Sequence, residues 1–146
     1  MKRMYRMMSK PKRFALASIL AGAVGLAALA FAMSRPDETI SGYVGAGDFV
    51  LTEVLGEPMD TNVTIAFPEE GKIVGQAPCN RYFTTQEAPL PWFKIGPIGA
   101  TKMACPNLDF EQQYFELLSK ATLAEVQADQ LLLSDDTQVL LSFKRK

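Results

Sequence analysis

Val63-Thr64-Ile65-Ala66-Phe67 and Lys72-Ile73-Val74-Gly75-Gln76, joined by Pro68-Glu69-Glu70-Gly71, decide how this chain folds. In the first run, large apolar side chains alternate with Thr64 and Ala66, the two-residue period of a strand with one buried face. A proline, two acids and a glycine then reverse the chain, and the second run returns as an antiparallel partner.

The same pattern extends in both directions. Upstream, Phe49 to Leu55 reads as a strand closed by Gly56, and Glu57-Pro58 begins a turn. Downstream, Phe93 and Ile95 predict a short strand before Pro97. Ala124–Ala128, Gln130–Ser134 and Gln138–Phe143 form a three-strand meander, with turns at Asp129 and Asp135-Asp136. One helix interrupts the strands: Phe110, Tyr114, Leu117, Leu118 and Ala121 fall on a single face. Asn107 or Asp109 can cap it, and Gln112, three residues after Asp109, completes a capping box. The fold class predicted is α+β or mainly β: a small curved antiparallel sheet or open barrel with one packed helix.

Residues 1–33 are of another kind. Lys2, Arg3, Arg6, Lys10, Lys12 and Arg13 precede any acid, the first being Asp37. Phe14 to Met33 carries no charge, and these 20 residues would make ~30 Å of helix, enough to cross a bilayer core. Basic residues before the run and acidic ones after it place the N-terminus in the cytoplasm. The expectation is an inner-membrane anchor through residues 14–33 with the C-terminal domain in the periplasm. The alternative is a signal peptide: Ala30-Phe31-Ala32 fits a peptidase site, and cleavage after Ala32 would leave a periplasmic or secreted protein. Residues 34–47, with Pro36, Gly42, Gly45 and Gly47, read as a linker, and 48–146 as the domain.

After Met33, nine basic and 16 acidic residues leave a formal charge of −7. Such a surface repels phosphate backbones, so no nucleic-acid partner is expected. The chain has no histidine, which removes the usual hydrolase triads and helical zinc motifs. Glu69-Glu70 and Asp135-Asp136 sit in turns, where solvated charge is the default reading. No catalytic residue, no cofactor and no metal ligand set emerges. Pro91-Trp92-Phe93 reads as core packing at a strand start rather than an exposed recognition patch. Lys144-Arg145-Lys146 reads as a solvated tail.

Gly71 to Tyr82, with Gly75, Cys79, Asn80 and Tyr82 at its marked positions, resembles the G-x-x-x-G-x-x-G-C-N-x-(Y/F) signature of the META domain family, the HslJ-like bacterial envelope proteins. Thr101-Lys102-Met103-Ala104-Cys105 is similar to that family's second motif, T-x-M-A-C. The helix follows where the family carries one, with Glu111, Phe115 and Leu118 in its pattern, and the resemblance covers about residues 48–143. Departures are Pro78 for the usual glycine, Thr84-Thr85-Gln86 for a glycine-rich hairpin, and Phe49 for a tryptophan. The resemblance implies a small β-rich domain associated with heat or envelope stress, with Gly75, Asn80, Thr101 and Met103 as motif residues and no established catalytic group.

Cys79 and Cys105 are the only cysteines, and both lie in the matching motifs. In an exported domain they read first as a disulfide. A reduced buried pair, a redox role and metal binding stay open as alternatives. The function expected is that of a non-enzymatic exported envelope protein that binds a protein partner and supports stress tolerance. The runner-up is a periplasmic module for a small apolar ligand or lipid held between sheet and helix.

Overall fold

A computed structural model describes residues 36–45 and 47–146. The transmembrane or signal helix expected over 14–33 lies outside the described residues. Among those described, no helix is long and apolar enough to cross a membrane.

Helix α1 spans Ile40–Val44, followed by β1 (Asp48–Val54), β2 (Glu57–Pro58), β3 (Thr64–Ala66), β4 (Lys72–Gln76), β5 (Arg81–Thr85) and β6 (Gly99–Ala100). Helix α2 (Leu108–Lys120) leads into β7 (Leu123–Gln127), β8 (Gln130–Ser134) and β9 (Val139–Arg145). The strands form one nine-stranded open sheet in the order β6-β5-β4-β3-β1-β9-β8-β7, with β2 paired to β1. All pairings are antiparallel. The mainly-β fold with one long helix is therefore present, as are the β3–β4 hairpin and the terminal meander.

Burial follows the strand period. Phe49, Ile65, Ile73, Leu131, Leu133, Leu141 and Phe143 point inward with Tyr114 and Leu118 of α2, and each is at most 1% exposed. Removing an apolar side chain of this size from water contributes ~1.5–3 kcal/mol, which is what holds the helix against the sheet. These side chains belong to one hydrophobic core cluster shared by sheet and helix. In β1, a register shift against β9 between Leu51 and Glu53 marks a bulge. It turns Val54 inward after Leu51, where strict alternation would have sent it out.

Four expectations are corrected. The stretch read as linker contains α1, whose Ile40 and Val44, one turn apart, are buried in the core. Asp37 steadies its start by accepting from Thr39 N at 2.8 Å and from the Ser41 hydroxyl. Arg145, read as tail, is a strut: its Nη2 donates to Val44 O at 2.6 Å and its guanidinium lies 4.9 Å from the centre of the Phe49 ring. Asn107 is the N-cap of α2 but makes no side-chain cap bond, and Asp109 lies inside the first turn, so the capping box does not form. The strand expected at Phe93 and Ile95 is replaced by two single bridges, Gln86–Ile95 and Trp92–Leu123. Pro89, Pro91 and Pro97 supply no amide donors for a longer ladder.

Candidate functional site

The motif residues converge where the β4–β5 turn meets the N-terminal half of α2. Cys79 N and Asn80 N both donate to Glu111 Oε2, at 2.9 and 2.7 Å. Asn80 Nδ2 donates to Glu111 Oε1 at 2.7 Å. The other side of the Asn80 amide faces the 101–105 loop: its Oδ1 accepts from Thr101 Oγ1 at 2.9 Å and from Met103 N at 2.7 Å. Thr101 closes the ring, its N donating to Arg81 O at 3.0 Å and its Oγ1 accepting from Arg81 N at 3.2 Å. Asn80 and Glu111 are only 2% and 6% exposed. Burying an amide and a carboxyl is tolerable only because every strong donor and acceptor finds a partner.

The Cys79–Cys105 disulfide ties the same two loops together, with Cα atoms 6.1 Å apart across a sequence separation of 26. Of the motif residues, Asn80 and Thr101 act through side chains, whereas Met103 acts through its backbone and leaves its side chain 56% exposed. Pro78 removes no bond from this network, because the turn's donors are Ala77, Cys79 and Asn80.

Gly75 has a steric reason. A Cβ there would lie 2.1 Å from Thr64 O and 2.6 Å from the Tyr82 ring. That close approach seats the Tyr82 hydroxyl 3.2 Å from Thr64 O and 2.7 Å from the Tyr114 hydroxyl. Burial pushes both phenols well above their usual pKa, and their mutual proximity adds to the effect at Tyr82. Glu111 is the residue whose role the sequence did not disclose. The signal was its position three and seven residues before Tyr114 and Leu118, on the otherwise apolar inward face of an amphipathic helix.

The acidic pairs behave as turn residues. Lys72 Nζ lies 2.6 Å from Glu69 Oε2 at the surface. Asp135 accepts from Thr137 Oγ1, Thr137 N and Gln138 N; the Thr137 hydroxyl foremost holds its carboxyl below the usual range. Among the described residues, no cluster of three or more potential metal ligands occurs.

Besides Tyr43, Leu55, Met103, Leu108 and Val139, large apolar groups meet solvent at two further places. On the outer sheet face, Ala66 of β3, Val74 of β4, Phe83 of β5 and Gly99 of β6 stand directly opposite one another in register. The Phe83 ring covers Gly99 so closely that a Cβ there would fall 2.4 Å from it, yet Phe83 is still 64% exposed. The second is Trp92, 60% exposed, while Phe93 beside it is buried. The expected core packing at Pro91-Trp92-Phe93 therefore holds for Phe93 alone.

The META domain family model matches residues 43–146. The chain belongs to the META domain family. That match embraces every residue of the loop-and-helix cluster above. The META fold is shared with an NMR structure of a protein from Burkholderia xenovorans, at 20% identity over 99% of this chain and 97% of that one, TM-score 0.55. It is also shared with a crystal structure of a DUF4847 family protein from Bacteroides vulgatus, at 15% identity over 72% and 96% of the two chains, TM-score 0.57. A further NMR structure is 24% identical over 77% of this chain and 95% of its own, TM-score 0.56. No curated protein matches the chain.

Proposed function

We propose that this META domain protein is a non-enzymatic exported envelope protein, held at the inner membrane by residues 14–33, whose periplasmic domain binds a protein partner in support of stress tolerance. The observation that carries the binding role is Phe83, a large aromatic fixed on the outer sheet face and still 64% exposed. Its register neighbours Val74 and Ala66 extend the apolar row across three strands. A rigid aromatic in such a setting is the kind of anchor on which protein interfaces concentrate their binding energy. The motif cluster supports the same reading, since Asn80, Thr101 and Glu111 direct their hydrogen bonds to one another and to backbone. The disulfide supports export, because such bonds persist in oxidising compartments.

The test places a photoreactive phenylalanine analogue at position 83 in living cells, with position 137 as control. A discrete protein adduct from position 83 and none from 137 is expected. No adduct from position 83, in protein that is folded and exported, would remove the binding role.

A further inference from the structure

We propose that the corner bearing Trp92 is a bilayer-contact surface that seats the domain on the zwitterionic lipid interface next to its anchor. The inference rests on the membrane-anchored reading above and adds the part of the domain that meets the lipid.

Trp92 is the chain's single tryptophan. Its exposure does not come from a loose loop. The residues on either side are bonded to β7 and to the residue just before it, Ala124 N donating to Pro91 O at 2.9 Å and Phe93 N donating to Thr122 O at 2.7 Å. The ring is thus displayed from a backbone held on both sides. Tyr43, 65% exposed, stands on α1, which packs against the same strand.

The covalent path singles out lipid as the occupant. Leu90 N donates to Glu38 O at 2.8 Å, which fixes the Trp92 segment beside the start of the domain. In the sequence, Glu38 follows Met33, the last residue of the apolar run, by five positions. Five residues span at most ~17 Å when fully extended. Under the anchored reading, this length limits how far Glu38 can stand from the end of the apolar run. Tryptophan and tyrosine are the side chains that settle at the headgroup layer, with an apolar ring body and a polar edge. The formal charge of −7 after Met33 opposes anionic headgroups and selects a zwitterionic surface. Lys94, two residues from Trp92, already lies 3.2 Å from Glu87 and adds no free cation there.

Because Trp92 is unique, its own fluorescence is the readout. Full-length protein is reconstituted in phosphatidylcholine vesicles, and flotation scores anchoring separately. In floating protein, the account expects blue-shifted Trp92 emission, quenching by lipids brominated near the headgroup, and weak quenching by aqueous acrylamide. A Trp92→Phe/Phe83→Trp reporter should be quenched by acrylamide several-fold more strongly and untouched by brominated lipid. Water-like Trp92 emission in protein that floats would overturn the lipid contact and leave the anchor standing. Lipid quenching of both reporters would also overturn it, by showing adsorption without a preferred face. Failure to float would overturn the anchored reading, and this inference with it.

Discussion

Asn80 N and Asn80 Nδ2 each donate to a different oxygen of Glu111, both at 2.7 Å, so one helix carboxyl holds the backbone and the side chain of a single loop residue. Cys79 N shares the first of those oxygens at 2.9 Å. The segment that carries one half of the disulfide is thereby fastened to α2 before the disulfide is counted.

Glu111→Ala leaves three buried donors without acceptors. The expected loss is about 3–5 kcal/mol of unfolding free energy, read from urea melts. Glu111→Gln keeps one acceptor oxygen and should lose about 1–2 kcal/mol. Equal losses for the two variants would show that the carboxyl fills space rather than bonds the loop.

Opening the disulfide frees a loop with a sequence separation of 26, which the chain-entropy relation equates with about 3.5 kcal/mol. Cys105→Ser and reduced wild type should therefore melt alike, both below the oxidised protein. Adding reductant to Cys105→Ser should change nothing further.

Much of this architecture was legible because β3 and its flanks alternate large apolar residues with Thr64 and Ala66, β1 and the last three strands are short apolar-rich runs bounded by turn residues, and α2 has a clean apolar stripe. Strand β5 was not, for a physical reason. Its inward positions include Thr84 and its outward ones include Phe83, the reverse of a half-buried pattern. Thr84 is tolerated inside because its hydroxyl donates to Gly96 O at 2.8 Å. α1 was hidden by Gly42, Gly45 and Gly47, although Ile40 and Val44 already had helical spacing. The disulfide was legible from the two motifs. The inward turn of Glu111 was not, because a lone glutamate on an amphipathic helix reads as solvated until the donors that meet it are known.

Gly75→Ala sets a methyl group against Thr64 O and the Tyr82 ring, at distances of 2.1 and 2.6 Å. Backbone on one side and a buried ring on the other leave little room to yield. A loss of about 2–3 kcal/mol is expected, with a shift of the Tyr82 ring resonances by NMR.

The paired phenols make the domain sensitive to alkali. Both folded pKa values lie above the ordinary 10.0, chiefly through burial, so the unfolded chain releases these protons first. Stability is full below pH 10 and falls as pH rises from there towards the folded values. The Tyr82→Phe/Tyr114→Phe double variant should lose less stability between neutral pH and pH ~11 than wild type. A slope equal to that of wild type would assign the alkaline loss to other groups.

The central claim is an exported, membrane-held domain closed by Cys79 and Cys105. Intact mass tests it most directly, on protein from membrane and soluble fractions of cells quenched with an alkylating reagent, with and without prior reduction. The account predicts full-length mass in the membrane fraction, with two alkyl groups added only after reduction. Thiols alkylated without reduction, or a mass trimmed after Ala32 in the soluble fraction, would contradict it.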